Sequence, residues 1–374
     1  MNIDEINLWL KDTLSRPAAP RTVAEELDRC TSVEGSLSMW DELYRSLGIR
    51  FYNERRKQLT APQMKALRAA ATYGAKGGNA LCFTNLNRAQ IALQLMARVI
   101  DPGKINQGSF NLCGPAAVIV SLAKDHPIRY VDTCAQLADQ GQVIINQWTI
   151  TPKPDVRNHQ PAERNQQADW VLCASVRADD RAITEMLYGS SGADQIFDFL
   201  CSCGYRRVIM RVDFPTKIVK AMPTGMLPPR FSNVDKTLLA RTMADLAGGG
   251  WSIVMFTHGE MKDALSAVAA ADQFRRLDPS LGEAAEESRH RTYQQHTTNL
   301  RTANISQRQL IWKALTGQVS AHMLHIMFVS NAYIQSNEIR LSCVNFGKHQ
   351  QWVTLPLDAF VNKFIGFAAA SDIQ

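Results

Sequence analysis

Residues 107–123, QGSFNLCGPAAVIVSLA, constrain the fold most, because they pass from a polar, glycine-containing segment into a run built for burial. The apolar residues Val118, Ile119, Leu122 and Ala123 recur at helical spacing, which predicts a buried helix entered at Cys113-Gly114-Pro115. Pro115 suits a first helical turn, where a missing N–H costs nothing, and Gly114 lets another chain approach the backbone closely. The loop thus delivers a thiol to the start of a helix. A helix start carries roughly half a positive charge on unpaired N–H groups, so Cys113 is expected to hold more thiolate, the form that attacks carbonyl carbon. Gln107 lies six positions upstream, near enough for its amide and the Cys113 N–H to face one developing oxyanion. The competing reading is an inert thiol on a core helix, since free cysteine is among the most buried residue types.

A second informative stretch is 319–367. Residues 323–329 and 339–344 are β-rich runs flanking 330–338, which reads as a hairpin loop, and 352–355 is a third strand candidate. His322 stands just before the first run, His325 lies within it directly ahead of Ile-Met-Phe-Val, and Asn345 follows the second. The midpoint of His325 and Asn345 is residue 335, inside the expected turn, which favours His325 as a base; His322, three residues away, falls on the other strand face.

Gln107, six residues on Cys113 and Gly114, then a buried helix, resembles the active-site start of papain-like cysteine proteases. The form INQGSFNLCGPAA…SLAKDHPIRYVDTCAQLADQG is similar to papain-like toxin and effector domains of bacterial secretion systems, although Leu112 and Ala116 depart from the lysosomal signature. The histidine-led hairpin followed by Asn345-Phe346-Gly347 resembles the second half of such a site, with Asn345 touching the aromatic directly where the family pattern has one residue between. The resemblance implies an α+β papain-like fold, a helical lobe led by the Cys113 helix and a small antiparallel sheet, over residues 99–374, preceded by a helical section at 1–98. It implies Cys113 as nucleophile, His325 as base, Asn345 as the residue orienting it and Gln107 in the oxyanion hole, with neither metal nor organic cofactor needed. By the same resemblance the protein is a toxin or effector in interbacterial competition or virulence. It would cleave a specific protein in the target-cell cytoplasm, and an immunity protein would guard the producer. Deamidases, transglutaminases and acyltransferases share this acyl-enzyme chemistry, and a non-catalytic module of the same fold is a further alternative.

Composition narrows the field. A chain of 374 residues, 45% hydrophobic, can bury a large core in one or two domains. No apolar run reaches the roughly 18 residues that span a membrane, so no membrane insertion is expected. The first residues, MNIDEINLWLKDTL, lack the basic and apolar regions of a Sec signal peptide, so export from the bacterial cytoplasm is expected by another route. The eight cysteines follow no disulfide framework and read as reduced thiols, and Cys201 with Cys203 lacks a partner pair for zinc. A net charge of +6 is modest, and the Arg pairs at 206–207 and 275–276 are not interleaved with aromatics, which argues against nucleic acid.

In chain order, helices are expected at 60–73, begun by Thr60 and Pro62, at 87–100, and from Pro127 to a stop at Gly141. A strand is expected within 143–150, helices near 170–176, 182–187 and 195–203, a proline-bearing connector at 213–233, a helix at 233–247 and a buried strand at 251–256. His258 with Glu260 reads as a solvated pair after that strand, and 257–308 as a surface helix or mobile insertion.

Overall fold

The structure is a computed structural model that describes residues 60–108, 112–146, 148–161, 166–176, 193–212, 219–222, 235–259, 261, 264, 265, 268, 324–345 and 348–372. The expectations for 1–59, for His322, for the helix at 182–187 and for Phe346-Gly347 lie outside these residues. The chain is a mixed α+β protein and divides into two compact units, the first formed by 1–177 with 182–184 and the second by 178–181 with 185–374. The first unit therefore holds both the end of the helical section expected at 1–98 and the Cys113 helix.

The described part of the first unit is mainly helical. Helix α1 (Ala61–Ala75) starts at a capping box: the Thr60 hydroxyl accepts from the Gln63 N–H at 3.3 Å, and Gln63 Oε1 accepts from the Thr60 N–H at 3.0 Å. Helix α2 (Arg88–Ile100) is capped by Asn87, whose side chain accepts from the N–H groups of Ala89 and Gln90. Helices α3 (Cys113–Asp125) and α4 (Pro127–Gln140) follow, and α4 ends at Gly141 in the left-handed conformation. A hairpin of β1 (Val143–Ile145) and β2 (Trp148–Ile150) turns at Asn146, φ 53°. Short α5 (Pro154–Asn158) and then α6 (Gln167–Ser175) complete the unit, α6 packing on α2, α3 and α4.

The second unit is built on a seven-stranded antiparallel sheet in the order β4-β3-β9-β5-β6-β7-β8. Its strands are β3 (Arg207–Val212), β4 (Val219–Met222), β5 (Ser252–His258), β6 (Leu324–Gln335), β7 (Glu338–Asn345), β8 (Lys348–Pro356) and β9 (Phe364–Ser371). Helix α7 (Ala193–Ser202) packs on β3 and β9; α8 (Lys236–Gly248), capped by Asp235, packs on β5, β6 and β9; α9 (Leu357–Lys363) precedes β9. One sheet face carries Ile253, Met255, Met327, Val329 and Leu341 into the core shared with Leu239, Ala240 and Met243 of α8. Val254, Phe256, Ile326 and Phe328 on the other face are also buried.

The sheet is larger than the small one expected from sequence. Residues 330–335 are strand, and the loop expected at 330–338 shrinks to a two-residue turn at Ser336-Asn337, because Gln335 pairs with Glu338. The stretch expected to be an insertion from 257 begins inside the core: Thr257 and His258 extend β5, and Met261, Ala264, Leu265 and Val268 are buried at helical spacing.

Strand β9 is inserted between β3 and β5, and Gly366 makes the fit possible. A Cβ at Gly366 would lie 2.6 Å from the Val212 Cα and closer still to the Arg211 carbonyl, and both are backbone atoms that no rotamer change can move. Gly366→Ala is therefore expected to lower stability by about 1–3 kcal/mol, the usual cost of overpacking, read as a lower urea midpoint at unchanged slope.

Candidate active site

Cys113 is the first residue of α3. The Leu112 carbonyl accepts from the Ala116 N–H at 2.8 Å, which starts the helical ladder, but Leu112 offers no side-chain cap. The sequence after it explains the rest: from Cys113 to Ala123 every residue is buried, so the helix is held by packing on all sides instead of by a cap. The thiol is consequently placed where N–H groups of a first turn favour negative charge. Cys113 itself is 8% exposed.

The turn at 106–108 is fixed by a buried ion pair. Arg98 on α2 and Asp169 in the first turn of α6 are 1% and 0% exposed at their side chains. They meet as a fork, Arg98 Nε to Asp169 Oδ1 at 3.2 Å and Nη2 to Oδ2 at 3.0 Å. Asp169 Oδ2 also accepts from the Asn106 N–H at 3.1 Å. Asn106 Oδ1 in turn accepts from the Gly108 N–H at 3.1 Å, closing a side-chain turn around Gln107, and Gly108 adopts φ 66°. Gln107 and Cys113 thus both lie in the first unit.

Cys134 and Cys173 also lie buried in this unit's core. Burial pushes the thiols of Cys134 and Cys173 up, and the Asp169 carboxylate adds to it; the same two causes, in the same order, raise the Tyr130 hydroxyl. These groups stay protonated and inert. Burial likewise pushes the Cys343 thiol in the second unit up to about 12.

His325 lies in β6 of the second unit and is 6% exposed. It pairs with Thr257 of β5, whose hydroxyl donates to the His325 carbonyl at 3.2 Å. Next to this pair the β5–β9 register slips, from Phe256 opposite Gly366 to Thr257 opposite Phe364, so a β-bulge stands beside the His325 row. Lys236 at the start of α8 donates to the Phe364 carbonyl at 3.0 Å and secures the bulged strand. Bulges of this kind are over-represented next to active sites, where they re-aim a side chain. Asn345 ends β7 one residue beyond Val344, the partner of Phe328. Its backbone therefore comes alongside Met327, two residues along β6 from His325. His258 is the last residue of β5, and Glu260 lies outside the described residues.

The sequence-derived residues accordingly fall into two pairs, Gln107 with Cys113 in one unit and His325 with Asn345 in the other. Sequence reading missed Arg98 and Asp169. A signal existed for the first, because Arg98 continues the core-facing row of Ile91 and Leu95, where a cation calls for a buried partner.

A cleft of about 590 Å³ opens elsewhere in the first unit, between Pro62, His126, Arg129, Asp132 and Ile144. It sits at the C-terminal end of α3, about 18 Å along the helix from Cys113 at 1.5 Å per residue, so it does not open on Cys113. Burial raises the Asp132 carboxyl there, against the opposing pull of Lys65. Among the described residues no group of His, Cys, Asp or Glu is arranged to hold a metal ion, and no helix is long and apolar enough to cross a membrane. Compared with protein-family models, with curated proteins and with solved structures, the chain matches none.

Proposed function

We propose that the chain is a cysteine endopeptidase of papain-like fold acting as a bacterial toxin or effector. It is made in the bacterial cytoplasm and cleaves a specific protein in the cytoplasm of a target cell, with an immunity protein restraining it in the producer. The observation that supports this reading most is the position of Cys113 at the uncapped start of a buried helix, six residues after Gln107, whose own turn is tied to a buried ion pair. In this reading the Cys113 thiolate attacks a peptide carbonyl, and Gln107 with the Cys113 N–H receives the oxyanion. The tetrahedral intermediate collapses to a thioester as His325, oriented by Asn345, gives its proton to the leaving amine. His325 then takes a proton from water, whose oxygen attacks the thioester and releases the acid and the thiolate. Substrate choice rests on contacts remote from the scissile bond, so one or a few proteins are cut.

The test is expression of the wild type and of Cys113→Ala in bacterial cells, with new protein N-termini compared by mass spectrometry. One or a few new termini in the wild type alone are expected. Termini that appear equally in both would overturn the reading, and a glutamine-to-glutamate mass change in place of new termini would make the chain a deamidase.

A further inference from the structure

We propose that Asp169 is a positioning residue for acyl transfer at Cys113: held by Arg98 and joined by Gln166, it clamps the turn 106–108 and so sets where Gln107 points. The inference rests on the peptidase reading above and adds a part of the site that neither the motif nor the resemblance contains.

The clamp has two jaws, both from the start of α6. Asp169 takes the N–H of Asn106, on one side of Gln107. On the other side stands Gly108, where a Cβ would fall 2.7 Å from Gln166 Oε1, so the Gln166 side-chain oxygen lies close against the turn. Between the jaws the Asn106 side chain closes on the Gly108 N–H, leaving the backbone of Gln107 fixed at both ends. Asp169 cannot swing away, because the Arg98 fork holds both of its oxygens in a space closed to water. Helix α6 also packs directly on α3, so the clamp and the nucleophile share one rigid frame. An oxyanion donor works only when it is pre-aimed at the atom that becomes charged. A turn tied on both sides of Gln107 is the device that aims it.

The chemistry separates positioning from general stability. Acylation by p-nitrophenyl acetate passes through a tetrahedral oxyanion: the thiolate adds to the carbonyl, the C–O bond to p-nitrophenolate breaks, and a thioester remains. Alkylation by iodoacetamide displaces iodide in one step and makes no oxyanion. The rates of both at Cys113 are measured in the full chain by mass spectrometry of the Cys113 peptide, for wild type, Gln107→Ala, Gly108→Ala and Asp169→Asn. Removing an oxyanion donor costs about a hundredfold or more; displacing one, as Gly108→Ala and Asp169→Asn do, is expected to cost about tenfold in acylation. Alkylation is expected to stay within about twofold, since helix and thiol are untouched. Combined with Gln107→Ala, neither clamp variant lowers acylation further.

Amide hydrogen exchange across 106–108 is followed in parallel and is expected to rise in both clamp variants while α3 stays protected. Acylation and alkylation falling together, or clamp effects that add to Gln107→Ala, would overturn the inference. Should Asp169→Asn not fold, Gly108→Ala decides it. A wild-type Cys113 that takes neither reagent would instead overturn the peptidase reading. Unchanged exchange at 106–108 overturns the clamp whatever Cys113 does.

Discussion

Replacing His325 with alanine is expected to lower acylation of Cys113 by about a hundred- to ten-thousand-fold, the range a positioned general base contributes, and replacing Cys113 itself to abolish it. The first effect has a physical signature beyond its size. A cysteine paired with an imidazolium keeps its thiolate at pH values where an isolated thiol is protonated. Iodoacetamide labelling of Cys113 at pH 6 is therefore expected to proceed in the wild type and to fail in His325→Ala, and at pH 9 the two should converge. A stability effect alone would behave otherwise, lowering labelling at neither pH or raising it at both as the helix opens. His325 is a demanding place for such a test, since it is buried in β6 and its carbonyl takes the Thr257 hydroxyl. The control is thus His325→Gln, which keeps the volume and the polar character but cannot carry the proton. Loss of low-pH labelling in His322→Ala, with His325→Gln unaffected, would transfer the base to His322.

What the sequence made legible follows from how locally each feature is encoded. The α1 start needs only Thr60 and Gln63, three residues apart, and the α2 start only Asn87, so both were readable from neighbours in the chain. The placement of Cys113 at the first residue of α3 was readable for the same reason, through Pro115 and the apolar row behind it. The strand at 251–256 and the β6–β7 hairpin were visible as β-branched runs, but their ends were not. Ser330, Asn331 and Gln335 look like loop residues, and yet they continue β6, because Ser330 donates to the Ser342 carbonyl at 2.9 Å and the Tyr333, Arg340 and Trp352 side chains stack along the outer face. That compensation comes from a partner strand, which one-dimensional pattern cannot show.

Strand β9 was missed for a different reason. FIGFAAAS is rich in alanine and alternates neither polar nor apolar, because β3 and β5 pair with its two edges and every residue is buried on either face. Its small side chains are what two close neighbours require, a property of the assembled sheet. The buried pair under the Gln107 turn was missed because its members are 71 residues apart in the chain. Of the candidate site, then, the stretch carrying Gln107 and Cys113 was legible where a motif compresses them into seven residues, and the frame under the Gln107 turn was not.

That frame is the subject of the second large expectation. Arg98→Leu should destabilise the first unit by about 3–5 kcal/mol, because it removes the cation and leaves the Asp169 carboxylate buried with its charge unanswered. Leucine fills most of the space, so the loss comes from the orphaned charge more than from a cavity. The size is decided by what remains around Asp169: the Asn106 N–H supplies one hydrogen bond, and Tyr130, Cys134 and Cys173 close the surroundings with groups that their burial keeps neutral. The double variant Arg98→Leu with Asp169→Leu removes both charges and should recover a large part of the loss, since a buried pair replaced by apolar groups of similar volume is often close to neutral. The Asn106 N–H is then left without its acceptor, and recovery should stop short of the wild type by about 1–3 kcal/mol. Urea unfolding followed by tryptophan fluorescence reads the first unit through Trp170, which is buried in α6 beside Asp169. A single variant that unfolds within about 1 kcal/mol of wild type would mean that water or another cation reaches Asp169, and the rigid base assigned to the Gln107 turn would fall with it.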